Sequence, residues 1–246
     1  MTSQAPLILI TGGSRGIGAA TARAAARDGY DVALTYVGNR QAAEKVANEI
    51  RATGRNAYVI RADMASESDI DAMFASVDAI GGLKAVVYNS AVTGKNSTLV
   101  EAETATLREV TEVNLLGALI VGRETVKRLS TKLGGAGGSI VFISSRASQY
   151  GSAGEYVWYA ASKGGVDSLT IGLAREVAKE GIRVNAVSPG PIDTGIHRPG
   201  RLEEAIKRFP SGRAGTSEEV ADAVMFLISD KSSFTSGAIL NVSGAA

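Results

Sequence analysis

The chain has 246 residues, 45% of them hydrophobic, enough to bury a sizeable core in one α/β domain. Its formal net charge is +1, with acids and bases interleaved, so nothing points to a nucleic-acid or membrane surface. It holds no cysteine and a single histidine, His197, which excludes disulfides, thiolate chemistry, a zinc cluster and most Ser-His triads, and no metal is expected.

No apolar run reaches transmembrane length. The opening MTSQAPLILITGG lacks the basic region of a signal peptide, and a cytoplasmic location is expected. Leu7-Ile8-Leu9-Ile10 is a continuous apolar run that stops at glycines, the pattern of a strand buried on both faces. A helix is predicted over 17–27, a strand over 31–36, a helix over 40–52 and a strand over 57–60. A helix around 68–80 and a strand over 84–88 follow, then a long helical stretch over 107–129. GGAGG at 134–138 breaks that stretch before a strand over 139–143. A helix over 159–180, a strand over 183–187, helices over 202–208 and 217–228, and a last strand over 238–242 complete the chain. Strands separated by helices imply right-handed crossovers and a parallel sheet. The expected fold is a single-domain, doubly wound α/β Rossmann fold over 1–246, with helices on both faces of seven strands.

TGGSRGIG at 11–18 lies between the first strand and the first helix. Gly12 is placed to make a tight turn, Gly16 to clear space for a pyrophosphate, and Gly18 to let the helix pack closely. The helix then offers N–H groups and the positive end of its dipole to an anion. NAD-binding sheets usually carry an acid at the end of the second strand. Here that place reads Tyr36-Val37-Gly38-Asn39-Arg40, with no carboxylate. Arg15 and Arg40 offer guanidinium groups to a 2′-phosphate, so NADP(H) is expected in preference to NAD(H).

Tyr159-Ala160-Ala161-Ser162-Lys163 puts a phenol and an ammonium at positions i and i+4, on one helix face. An ammonium about 5 Å from a phenolate, at an effective dielectric of about 20, favours the phenolate by roughly 3 kcal/mol. That is about two pKa units, which brings a tyrosine into a useful acid–base range. The strand before this helix ends Val141-Phe142-Ile143-Ser144-Ser145, and parallel strands present ligands at their carboxyl ends. Asn114 interrupts the apolar face of the long helix; it is either structural or part of a proton path.

With these motifs together, the chain resembles the short-chain dehydrogenase/reductase family over essentially its whole length. The likeness rests on TGGSRGIG at 11–18, Asp63, Asn89, Asn114, Ser144-Ser145, YAASK at 159–163 and NAVSPGPIDT at 185–194. Within the family it is similar to the 3-oxoacyl reductase and sugar dehydrogenase branch. The resemblance implies a strand order of 3-2-1-4-5-6-7 and an oxidoreductase acting on CH–OH or C=O groups. It implies that Tyr159 exchanges the substrate proton. Lys163 would lower the tyrosine pKa and hold the nicotinamide ribose, and Ser145 would orient the reacting oxygen. Asn114 would help hold a relay water. Cofactor contacts are implied at Gly12, Ser14, Arg15, Gly16, Ile17, Gly18, Tyr36, Asn39 and Arg40. They continue at Asp63 and Met64 (adenine), Asn89, Ser90 and Ala91, and at Pro189, Gly190, Ile192 and Thr194 (carboxamide). A homotetramer, or a dimer, is expected.

Two departures stand out. The family's NNAG reads Tyr88-Asn89-Ser90-Ala91 here, and the spacing from Ser145 to Tyr159 is one residue longer than usual. The extra residue is expected within 151–155, and it leaves Ser144 as the alternative to Ser145 for facing the site. His197 falls where the family carries a substrate lid, about 195–210. Trp158 is expected to pack, and Gln149 and Glu155 are weighed as substrate contacts. The rival functions are a sugar or polyol dehydrogenase using NAD(P)+, a non-catalytic NADPH sensor, and an assembly scaffold.

Overall fold

The computed structural model describes residues 5–194 and 210–245. Its seven strands are β1 (Leu7–Ile10), β2 (Asp31–Tyr36), β3 (Ala57–Arg61), β4 (Leu83–Tyr88), β5 (Gly138–Ile143), β6 (Ile182–Pro189) and β7 (Ile239–Val242). They form one sheet in the order β3-β2-β1-β4-β5-β6-β7, and every paired neighbour is parallel. The connecting helices are α1 (Gly16–Arg27), α2 (Arg40–Arg51), α3 (Glu67–Ile80), α4 (Thr104–Thr111), α5 (Gly117–Leu129), α6 (Ala147–Tyr150), α7 (Val157–Glu176) and α8 (Ser217–Ile228). The expected strand order and parallel sheet are both present. The helix predicted at 202–208, His197 and nearly all of the lid segment lie outside the described residues.

The apolar runs work because a strand sends alternate side chains to opposite faces. Ile8, Ile10, Val32 and Leu34 pack under α1, α2 and α8. Leu7, Leu9, Ala33 and Val86 pack under α3, α5 and α7. A smaller cluster of Val110, Tyr156 and Trp158 closes over the start of α7.

The predicted stretch 107–129 is helical but not uniform. Between α4 and α5, residues Glu112–Leu116 form a π turn, so the Gly117 N–H reaches back to the Glu112 carbonyl. Such single-turn bulges let a helix change which residues face its neighbours. The strand order runs one way from β1 and the other way from β4, and the two are parallel neighbours. That switch point is where doubly wound sheets take ligands.

Candidate active site

The glycine turn sits at the switch point and is built from backbone. Gly12 adopts φ +64° and Gly16 φ +53°, conformations a side chain disfavours. The Gly12 N–H donates to Thr35 Oγ1 at 3.0 Å, and the Gly13 N–H to the Thr35 carbonyl at 2.9 Å. A Cβ on Gly18 would stand 2.4 Å from the Gly12 carbonyl oxygen and 2.6 Å from Asn89 Nδ2, so α1 starts hard against its own turn. Helices α2, α3 and α8 begin with side-chain caps from Asn39, Ser66 and Thr216. Helix α1 has no side-chain cap and no acid in its first turn. Its leading N–H groups thus take no side-chain acceptor of their own, as is also true of α4 and α7.

At the end of β2 the side chains at 37–40 are exposed, as is Arg15. The Arg40 side chain is 75% exposed and lies 3.8 Å from Glu44, a loose tether on its own helix. Asn39 accepts the Ala42 N–H at 2.9 Å, so its side-chain oxygen serves as the α2 cap. Asn89 donates to the Thr11 and Gly12 carbonyls, each at 3.0 Å, and so ties β4 to the glycine turn. The Ser90 N–H donates to Thr11 Oγ1 at 3.0 Å, and Ala91 lies half-buried beyond it. Asp63 is half-buried and accepts the Ala65 N–H at 3.0 Å. Met64 is 2% exposed and belongs to the core layer under α3 and α5, with its carbonyl oxygen 2.6 Å from the position a Gly117 Cβ would take.

The segment after β6 returns to the same place. The Gly190 N–H donates to the Val242 carbonyl at 3.0 Å, and a Cβ there would meet Ser243 Cα at 2.8 Å. The Pro189 carbonyl accepts the Arg146 N–H at 3.0 Å. Ile192 is buried at 3% exposure. Thr194 Cβ lies 3.2 Å from the position a Gly16 Cβ would take, so this segment closes against the glycine turn.

Tyr159 lies in the first turn of α7 and is half-buried, with the Tyr156 ring edge-on at 5.8 Å. Lys163 is 1% exposed; its Nζ donates to the Ile143 carbonyl at 2.7 Å and lies 5.8 Å from the Tyr159 ring centroid. Burial pulls its pKa down to about 8, and the Asp167 charge opposes that fall. The two serines after β5 differ sharply. Ser144 is 2% exposed and its hydroxyl donates to Asp167 Oδ1. Ser145 is half-buried, and its hydroxyl oxygen accepts the Ala147 N–H at 3.1 Å. The loop from 151 to 154 carries positive φ at Gly151, Ser152 and Gly154, a run of tight turns between α6 and α7.

Asn114 is fully buried within the π turn. It exchanges two 2.9 Å hydrogen bonds with the Val92 backbone and donates to Ser162 Oγ at 3.0 Å. Both amide hydrogens are thus committed to holding α7 and the strand β4 exit in register. Trp158 packs as expected: it is 6% exposed and its Nε1 donates to the Thr93 carbonyl at 2.9 Å. Gln149 accepts from Arg146, and the Glu155 carbonyl accepts the Ser97 N–H at 2.9 Å.

Four residues matter here that the motifs did not single out. Thr11 and Thr35 hold the glycine turn. Asp167 engages Ser144. Tyr88 is fully buried and its hydroxyl donates to the Val113 carbonyl inside the π turn. Burial, with the Asp63 charge adding to it, pushes that phenol far above its usual range, so it remains a donor throughout. Gly117 makes room: a Cβ there would stand 2.5 Å from the Tyr88 hydroxyl. The tyrosine that departs from the family pattern therefore holds the bulge that carries Asn114.

A family model described as Enoyl-(Acyl carrier protein) reductase matches residues 12–244. The oxidoreductase YgfF of Escherichia coli K12 is 44% identical over 243 residues, covering 97% of this chain and 98% of that protein. The 3-oxoacyl-[acyl-carrier-protein] reductase FabG of Staphylococcus aureus Mu50 is 34% identical and covers 96% of both chains. A short chain dehydrogenase from Burkholderia cenocepacia J2315, solved in complex with NADP, superposes with a TM-score of 0.92 at 31% identity, over 98% of each chain. Fold, motif positions and relatives agree, and the chain belongs to the short-chain dehydrogenase/reductase family of oxidoreductases acting on alcohol and carbonyl groups.

Proposed function

We propose that the chain interconverts a carbonyl and a secondary alcohol with NADP(H), with Tyr159 as the general acid and base. The observation that carries this reading is the buried Lys163 ammonium beside the Tyr159 ring, at 5.8 Å. Burial lowers the Lys163 pKa only to about 8, so the lysine keeps its charge at neutral pH. A desolvated cation at that distance stabilises the phenolate and lets the phenol exchange a proton near neutral pH. Ser145 orients the reacting oxygen, because the Ser144 hydroxyl is committed to Asp167. Developing charge on that oxygen then meets two prepositioned hydroxyls. Asn114 supports the pair through Ser162.

The residues present fit a nicotinamide dinucleotide. The uncapped start of α1 and the glycine turn at Gly12, Gly16 and Gly18, with Ser14 and Ile17, suit its pyrophosphate. Arg15 and Arg40, with Tyr36 and Asn39 and no acid at the end of β2, favour a 2′-phosphate. Asp63 and the Met64 backbone flank the adenine side. Asn89, Ser90 and Ala91 line the middle, and Pro189, Gly190, Ile192 and Thr194 the carboxamide side. When bound, the cofactor supplies or accepts a hydride at its nicotinamide ring. The solved Burkholderia relative was crystallised with NADP, which supports the choice of phosphorylated cofactor. We also read the protein as a cytoplasmic homotetramer; Leu119 on α5 and Ile171 on α7, both exposed, support pairing of these helices between copies.

The test combines a broad carbonyl panel with titration of both cofactors. Tyr159→Phe is expected to abolish turnover while NADPH still binds. Full activity in that variant, or tighter binding of NADH than of NADPH, would overturn the corresponding half of the reading. Binding without turnover in the unaltered chain would favour a sensor.

A further inference from the structure

The motifs of the chain leave Asp167 without a role, yet the fold brings it to the catalytic lysine. Tyr159, Lys163 and Asp167 occupy positions i, i+4 and i+8 of α7, one face of one helix. Ser144 reaches across from the end of β5, and its buried hydroxyl donates to Asp167 Oδ1. The same hydroxyl oxygen lies 3.5 Å from the Lys163 carbonyl oxygen. We propose that Asp167, fixed by Ser144, is a positioning residue that keeps the proton-transfer pair in its phenolate–ammonium form. The proposal rests on the reading of Tyr159 and Lys163 given above.

The argument concerns where one proton goes. The fully protonated pair holds a neutral phenol and an ammonium. Loss of one proton leaves either phenolate with ammonium or phenol with amine. These two forms have the same net charge and differ only in the position of the remaining proton. Only the first contains the base that the oxidation of an alcohol requires. Burial of Lys163 favours the second form, because it removes both charges from a poorly solvated site.

A negative charge one turn from Lys163 and two turns from Tyr159 tips the balance back. It attracts the ammonium more than it repels the phenolate. The groups that face Lys163 are few among the described residues. Tyr159 and Asp167 lie one turn away on its own helix, the Ile143 carbonyl at the end of β5 accepts from Nζ, and Ser144 just beyond touches the Lys163 main-chain carbonyl. Asn114 faces this helix from the π turn, through Ser162. Asp167 is the carboxylate in that set, and its charge is the influence that raises the lysine against its burial. The carboxylate needs its own anchor, and the Ser144 hydroxyl supplies one. The doubled serine at the end of β5 thus divides its labour: Ser145 faces substrate, and Ser144 holds the acid behind the lysine.

The test uses the full-length protein and needs no substrate. Phenolate absorbance is followed against pH for the unaltered chain and for Tyr159→Phe, and the difference isolates Tyr159. The same subtraction is made in an Asp167→Asn background, which keeps an acceptor for Ser144 but removes the charge. The expected result is a Tyr159 titration that begins below the ordinary tyrosine range in the unaltered chain. In the Asp167→Asn background, less phenolate should appear with the first proton, and the midpoint should move up by about one pH unit. Ser144→Ala should shift it the same way by less, and it serves alone if Asp167→Asn fails to fold. An unchanged or lowered midpoint in the variants overturns the role of Asp167, even if their melting temperatures fall. A midpoint in the unaltered chain no lower than that of free tyrosine overturns the Tyr159–Lys163 reading itself.

Discussion

Lys163→Met separates what the lysine does for chemistry from what it does to the fold. The lysine is fully buried and its pKa falls from the ordinary 10.5 to about 8. Below pH 8 the folded chain therefore carries a charge that the unfolded chain hydrates better, a penalty of about 3 kcal/mol. Methionine fills a similar volume without that charge. It leaves the Ile143 carbonyl without its 2.7 Å donor, a loss of about 1–2 kcal/mol. The expected net effect at pH 7 is a gain in stability of about 1–2 kcal/mol, together with loss of activity. The sign of the pH dependence follows from linkage. Between pH 8 and 10.5 the unfolded lysine holds more protons than the folded one, so the lysine's penalty shrinks as pH rises. The assay is urea unfolding of both proteins at a series of pH values and one protein concentration. Their difference cancels the titrating groups that do not interact with Lys163, and repeating it in a Tyr159→Phe background removes the tyrosine coupled to it. A variant less stable at pH 7, or a difference that does not narrow between pH 8 and 10, would refute the reasoning.

Gly18→Ala should be disruptive despite its small size. Its Cβ meets the Gly12 carbonyl oxygen at 2.4 Å, and backbone cannot step aside as a side chain does. A loss of about 1–3 kcal/mol and a weaker NADPH complex are expected, read by thermal melts with and without cofactor. Tyr88→Phe should cost about 1–3 kcal/mol, because the buried Val113 carbonyl loses its donor. Urea unfolding checks it, and a change below about 0.5 kcal/mol would mean that the π turn supports itself.

Much of this molecule was legible because its inner strands, β1, β2, β4, β5 and β6, are buried on both faces. Leu7-Ile8-Leu9-Ile10 reads as a strand without help from any partner, and the glycines after it mark the turn by necessity. In YAASK, i and i+4 share a helix face regardless of the tertiary fold, but the pair reads as a candidate site only together with the glycine turn and the serines after β5. What the motifs left open depends on contacts distant in the chain. The choice between Ser144 and Ser145 turns on Asp167, and Tyr88 looks like the end of an apolar strand until Val113 is beside it. The π turn is invisible in hydropathy, since one residue of altered bonding leaves the apolar pattern over 107–129 nearly intact. Asn39, Asn89 and Asn114 sit where a ligand was expected, yet their side chains serve the backbone. Residue type alone does not separate a group that binds from one that holds the binder in place.

The two layers flanking the sheet are made of different material. Helix α1 itself packs with alanine, and Ala19, Ala20, Ala22, Ala24, Ala25 and Ala26 are all buried against the strands below. The opposite layer carries the bulk, with Phe74, Tyr88, Phe142 and Met73. Truncation has little to remove on α1, whereas one added methylene there has nowhere to go. The reverse holds on the other side, where shortening Phe74 or Phe142 opens a void. Random variation in this chain should thus fail in two directions. Enlargement displaces α1, the helix proposed to take the cofactor's phosphates, and shrinkage slackens the layer under α7, which carries Tyr159. A library sorted separately for cofactor retention and for turnover should divide along that plane.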